Sequence, residues 1–125
     1  MTSGHAMVLD GYRLSAARRS VRDQEADVFH RVNARLRAAM ACATGDAAAR
    51  AGSAVVEAQA LADNGRLWMT VADLMRDPAN ALPLPLRASI LSVGAAVQRE
   101  SRQAAPDWAF LIGVNEQVAA GLAGR

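Results

Sequence analysis

The segment spanning residues 64–91 constrains the fold more than any other part of the chain. An Asn-x-x-Leu-Trp element of helical character is followed by a break at Asp77-Pro78 and then by Leu-Pro-x-x-Leu-Arg. The residue before a proline is driven out of the α region, so the first helix must end near Asp77. Pro83 and Pro85 are tolerated in a new helix because first-turn amides have no intrahelical partner. The segment therefore predicts two consecutive helices joined by a short connection.

Apolar residues elsewhere recur at three- and four-residue intervals, the spacing of one helical face. One such stripe runs from Val28 to Met40, another from Val55 to about Met75, and a further one follows Pro106. None of them alternates with the period of two that marks a strand. The sequence predicts an all-α fold, a small single-domain antiparallel bundle of about four principal helices.

Local signals predict where these helices begin and end. Gly45 is expected to end the first helix in the left-handed conformation, and Asp46 is expected to cap the next helical stretch. Asn80 or Leu82 is expected to lead into the third long helix, with Asn80 as a cap. On that helix Gly94 leaves room for a neighbouring element.

Three further residues interrupt the helical pattern. Gly65, in the middle of a helix, costs about 1 kcal/mol relative to alanine and predicts a kink or the close approach of another backbone. Asn115 interrupts an apolar seam. It either sets helix register, within the bundle or across a dimer, or lies at the edge of the stripe. Arg87 is expected to pair with Asp73 or Asp77 and so fix the turn between two helices.

The composition describes one domain with a thin core. Residues 1–19 are assigned to a flexible N-terminal leader, because the opening residues have no apolar periodicity, and residues 20–125 to the helical domain. Hydrophobic residues make up 52% of the chain but aromatic residues only 4%, and alanine is the most frequent apolar residue. Four aromatic residues are expected to supply much of the buried area. They are Phe29, Trp68, Trp108 and Phe110.

Residues that catalysis or metal binding would require are scarce. The chain has no lysine, a single cysteine at Cys42, and His30 as its one histidine outside the leader. A nucleophile needs an adjacent base, and a zinc site needs several thiolate or imidazole ligands. The sequence therefore predicts no enzyme, no cofactor and no metal. One cysteine suits a reducing compartment, and neither a membrane-spanning apolar run nor a secretion signal is evident, so a cytoplasmic protein is expected.

The succession of motifs in the central segment resembles the FlaF family of flagellar biosynthesis regulators, which are small all-helical proteins. The resemblance extends over residues from about 12 to 122. Two positions depart from the family pattern, Ala96 where relatives often place an aromatic residue and Glu100 where they often place a histidine. The matching central positions are Asn64, Leu67, Trp68, Asp73, Leu74, Asn80, Leu82, Pro83, Leu86, Arg87 and Ala88.

This resemblance implies a cytoplasmic, non-enzymatic flagellar assembly factor that acts with flagellin. It implies a secretion chaperone or a regulator coupling flagellin synthesis to export, alongside the companion regulator FlbT. Flagellin termini are amphipathic helices, and a helical protein with a wide apolar surface can accept one in a groove. We expect that groove between the second and third long helices. The expected partner-binding residues are Leu61, Trp68, Met75, Leu86, Arg87, Ile90 and Val97.

Two alternatives remain open at the level of sequence. In the first, the protein is an RNA-binding post-transcriptional regulator whose N-terminal arginines hold the flagellin mRNA leader. Single-stranded RNA recognition usually interleaves aromatic with basic residues, and only Tyr12 lies near these arginines, which disfavours nucleic acid as a partner. In the second, the protein is a helical scaffold or homodimer. The arginines concerned are Arg13, Arg18, Arg19, Arg22, Arg31 and Arg35.

Overall fold

The computed structural model describes residues 24–123, and this part of the chain is helical with no strand. Four long helices and one single-turn helix confirm the all-α prediction with about four principal helices. The proposed leader at residues 1–19 lies outside the described residues. In chain order the helices are α1 (24–43), α2 (Ala47–Arg50), α3 (Ser53–Arg76), α4 (Leu84–Ser101) and α5 (Trp108–Ala123).

The core lies where α1, α3 and α5 meet, and α4 packs along α3. Phe29 meets the edge of Trp68 in a T-shaped arrangement, with ring centroids 6.2 Å apart. Trp108 is also buried, but Phe110 remains 38% exposed, so the expectation that it would contribute to the core is wrong. Alanine fills much of the remaining interior, as the composition indicated. The buried cluster comprises Phe29, Val32, Leu36, Ala39, Ala60, Trp68, Val97, Trp108, Leu111, Ile112 and Ala119.

Two of the predicted helix ends are confirmed. The Asp46 carboxylate accepts a hydrogen bond from the amide of Ala49 at 2.8 Å, which satisfies a first-turn donor of α2. Helix α3 ends at Arg76, and Asp77 is extended, as expected for the residue before Pro78.

The predicted left-handed cap at Gly45 is wrong. Among the described residues positive φ occurs at Gly52, at 75°, and not at Gly45. A Cβ at Gly45 would lie 2.7 Å from the Cβ of Ala49 and 2.9 Å from the carbonyl oxygen of Ala41. Position 45 therefore favours glycine because a side chain there would clash with neighbouring atoms. The left-handed conformation occurs later, at Gly52, which precedes α3.

The start of α4 also differs from the prediction. Pro83 is its N-cap, and Asn80 belongs to the preceding connection. The side-chain Nδ2 of Asn80 donates to the backbone carbonyl of Leu74 at 2.8 Å, and the side-chain Oδ1 of Asn80 accepts from the backbone N–H of Leu82 at 2.9 Å. Asn80 thus satisfies a carbonyl at the end of α3 and shapes the approach to α4.

Arg87 stabilises the same connection, though not through a carboxylate. Its guanidinium Nη1 lies 3.3 Å from the carbonyl oxygen of Asp77 and 3.5 Å from that of Met75. The last carbonyls of a helix have no intrahelical partner and carry partial negative charge, so a cation is favourable there. The expected pairing with the side chain of Asp73 or Asp77 is therefore corrected to hydrogen bonds with the backbone.

A candidate helix-binding groove

Helices α3 and α4 leave a groove of about 340 Å³ along their outer side. Trp68 and Ile90 contribute to its apolar surface, and Gly94 brings α4 close to the indole. A Cβ at Gly94 would lie 3.2 Å from Cε3 of Trp68, which confirms that this glycine leaves room for a neighbour. The groove is lined by Trp68, Met69, Val71, Ala72, Asp73, Arg76, Ile90, Leu91, Gly94, Ala95, Gln98 and Arg102.

The rim of this groove combines a flexible apolar side chain with polar groups. Met69 is 63% exposed and forms part of one edge. On the other edge Gln98 donates from Nε2 to the carbonyl of Gly65 at 3.1 Å, tying α4 to the middle of α3. A Cβ at Gly65 would lie 3.7 Å from the Gln98 oxygen. The backbone approach predicted as one alternative at Gly65 is therefore wrong, because the neighbouring atom belongs to a side chain, and α3 continues as one helix through this glycine.

The seven residues expected to bind a partner do not all lie in the groove. Trp68 and Ile90 line it, and Trp68, only 1% exposed, can form little more than its floor. Val97 is fully buried, and Arg87, in the first turn of α4, donates to the connection that precedes this helix and does not line the groove. The other three are half-buried outside it: Leu61, Met75 and Leu86.

Sequence reasoning missed most of the groove's edges, because these residues are small or flexible. Met69, Ala72, Leu91 and Ala95 all line it. On α3 the lining residues lie one, three, four, five and eight positions after Trp68, and on α4 they recur around Gly94. A search for the helical face adjacent to the tryptophan would have found them.

A chain of side-chain amides holds the tryptophan that forms the groove floor. The Trp68 Nε1 donates to Oδ1 of Asn115 at 2.8 Å. Asn115 donates in turn from Nδ2 to the side-chain oxygens of Asn33, at 3.0 Å, and Asn64, at 2.8 Å. Asn33 donates to the carbonyl of Ile112 at 3.0 Å. An indole N–H can only donate, so the amide orientation of Asn115 follows from it.

This network settles the position of Asn115 within the bundle. All three asparagines are buried, and they come from α1, α3 and α5. Any rotation of one helix about its axis would separate these partners and leave polar groups unsatisfied in the core. The network therefore sets the register of three helices around the indole. Sequence reasoning did not identify Asn33 and Asn64 as partners, although each lies next to apolar core residues.

A second groove, of about 420 Å³, lies between α1 and α3. There the Asp63 carboxylate accepts hydrogen bonds from both Arg35 and Arg66. The hydrogen bond from Arg35 is the largest influence, and with that from Arg66 it holds the pKa of Asp63 below its ordinary value of 3.8 despite partial burial. Asp63 is therefore ionised at neutral pH.

The two departures from the family pattern lie outside both grooves. Glu100 accepts a hydrogen bond from the amide of Asp107 at 2.7 Å, which ties the end of α4 to the residue before α5. Ala96 is half-buried on α4. Neither position therefore contributes to a groove surface.

The described residues offer few groups for other kinds of site. No group of three or more histidine, cysteine, aspartate or glutamate side chains lies close enough to hold a metal ion within the described region. Nor does any helix of that region have the length and hydropathy required to cross a bilayer.

Comparison with known protein families matches residues 12–122 to the family described as flagellar protein FlaF. Comparisons with curated proteins and with solved structures found no match. The family match includes α3 and α4, which form the first groove, and the asparagines that surround Trp68. It covers most of the chain, so the protein belongs to the FlaF family of flagellar proteins.

Proposed function

We propose that this protein is a cytoplasmic, non-enzymatic flagellar assembly factor that binds an amphipathic helix of flagellin in the α3–α4 groove. Membership of the FlaF family supports a flagellar role. The observation that carries the binding mode is the open groove beside Trp68 and Met69. Amphipathic helices bind such grooves through apolar residues spaced three and four apart.

The groove has the chemical character that a helix-binding site needs. Its floor is rigid because Trp68 is held by Asn115 from below and packed against Gly94 from above. Its edge is adaptable because Met69 has a flexible, polarizable side chain that can repack against different apolar residues. A rigid floor lowers the ordering cost of binding, and a flexible edge tolerates variation in the bound helix.

Binding of this kind suits a chaperone. An unassembled amphipathic helix exposes its apolar face and aggregates unless that face is covered. The groove covers one face of one helix and leaves the remainder of the client accessible. A client held by a small number of apolar contacts can also be released when assembly begins.

Charge introduced into the groove tests this proposal. Met69→Glu places a carboxylate at a surface that should be apolar, and flagellin that copurifies with the wild-type protein should be retained at least about tenfold less well. Ala95→Glu, on the opposite helix, should have the same effect, because Ala95 also lines the groove.

Val55→Glu is the matched control. Val55 is also 63% exposed and also lies on α3, but it does not line the groove. Circular dichroism and urea denaturation should show all three variants folded. Equal retention of flagellin by Met69→Glu and Val55→Glu, or failure of flagellin to copurify with the wild-type protein, would refute the proposal.

A further inference from the structure

The groove between α1 and α3 differs in chemistry from the one between α3 and α4. Half-buried Val28 and Leu67, with the buried Val32, give it an apolar floor, while charged groups surround it. Three arginines and one carboxylate leave a formal charge of +2 at this surface. Its lining residues are Val28, Arg31, Val32, Arg35, Asp63, Arg66, Leu67 and Thr70.

Two of the arginines are held in place by Asp63 and still have N–H donors that face solvent. Arg35, from α1, and Arg66, from α3, both donate to Asp63. Their side chains nevertheless remain 68% and 70% exposed, whereas that of Asp63 is 15% exposed. One carboxylate cannot satisfy the five N–H donors of each guanidinium, so several donors point to solvent. The shared carboxylate thus orders two cationic groups before any partner arrives.

Arg31 adds a third cation one helical turn before Arg35. Among the described residues it forms no ion pair. Asp27, one turn earlier on the same helix, does not line the groove. A partner approaching along the groove would therefore meet apolar floor residues flanked by guanidiniums from both helices.

We propose that the α1–α3 groove is a second interaction surface, one that binds an acidic amphipathic helix of a partner protein. Aspartate or glutamate side chains of that helix would pair with Arg31, Arg35 and Arg66, and its aliphatic side chains would cover Val28 and Leu67. This surface is separate from the proposed flagellin groove, because Thr70 lies on one side of α3 and Met69 on the other.

The lining favours a protein helix over a nucleic acid. Single-stranded nucleic acid binds through phosphate contacts combined with stacking of bases on aromatic rings. None of the described residues that line this groove is aromatic. The valine and leucine floor offers burial to aliphatic side chains and little to a sugar-phosphate backbone.

Three synthetic helical peptides provide the test with the full chain. They share one leucine face and differ only in carrying glutamate, glutamine or lysine at the flanking positions. Fluorescence anisotropy should show the glutamate peptide binding best, with affinity falling as salt is raised. Arg31→Gln should weaken it about two- to fivefold, since one partly exposed ion pair is lost. Arg76→Gln, in the other groove, should leave it unchanged.

Amide chemical shifts locate the peptide. Binding should perturb Arg66, Leu67 and Thr70, and Met69→Glu should leave the glutamate peptide's affinity intact, which separates this proposal from the one on flagellin. Perturbation confined to Leu91 and Ala95 would overturn it, as would equal affinity for the lysine peptide. Displacement of the glutamate peptide by a uridine oligonucleotide would overturn it in favour of RNA.

Discussion

At the scale of single residues, the side chain of Asn115 links α5 to both α1 and α3. It accepts from Trp68 and donates to Asn33 and Asn64, so one amide satisfies groups from two other helices. The Nδ2 of Asn64 is the group in this network without a partner among the described residues. Buried amides that are nearly all satisfied in this way specify one arrangement of helices over others.

Replacing Asn115 with leucine should destabilise the fold by about 2–4 kcal/mol. Leucine has a similar volume, so the cost comes from leaving the Trp68 indole N–H unpaired in the core, along with the side-chain oxygens of Asn33 and Asn64. Urea denaturation measures the change, and the fluorescence of the indole should shift as its hydrogen bond is lost. Gln117→Ala, at an exposed site on the same helix, should stay within about 0.5 kcal/mol. A leucine variant as stable as that control would contradict the role assigned to the network.

At the scale of the elements, the sequence predicted where helices end more accurately than it predicted the contacts that form those ends. The break at Asp77-Pro78 and the cap at Asp46 depend on local backbone chemistry, so the sequence predicts them directly. The roles of Gly45 and Arg87 depend on which atoms lie nearby after folding. Their residue types were consistent with a helix end and a fixed turn, but the contacts were not those expected.

Glycine replacements should separate crowded positions from open ones. Gly113→Ala, within α5, should stabilise the protein by about 0.5–1 kcal/mol, because nothing lies within 4 Å of the added methyl and alanine favours the helix. Gly45→Ala should destabilise it by about 1–3 kcal/mol, because the methyl would overlap Ala49 and the carbonyl of Ala41. Thermal unfolding with matched urea titrations measures both. A Gly45→Ala variant as stable as the wild type, or more stable, would show that the corner at Gly45 is less crowded than the structure indicates.

At the scale of the whole molecule, both tryptophans are enclosed and yet two grooves remain, one on each side of α3. The fold therefore closes its core without covering all of its apolar surface. The formal charges of their linings differ by one, because three arginines and Asp63 line the α1–α3 groove whereas two arginines and Asp73 line the α3–α4 groove. Helix α3 therefore contributes residues to both grooves.

The link between α1 and α3 should depend on pH through Asp63. Its pKa is lowered in the folded protein, chiefly by the hydrogen bond from Arg35, so its contribution to stability is present above the ordinary value of 3.8 and is lost as pH falls through the lower folded value. The difference in unfolding free energy between wild type and Asp63→Asn should accordingly shrink from neutral pH to about pH 3. High salt should reduce the difference at neutral pH, because both arginines are exposed. A difference independent of pH would mean that the pair does not stabilise the fold.

The sequence by itself determined the helices, most of their limits and the family, because apolar periodicity, proline breaks and capping residues act over a few neighbouring positions. It also indicated that α3 and α4 would border a groove, since they are consecutive and joined by a short connection. Only the tertiary structure decided that Trp68 is the floor of that groove, that Met69 and Ala95 form its edges, and which asparagines meet. Those facts depend on the rotation of each helix about its own axis, which is set by packing among residues far apart in the chain.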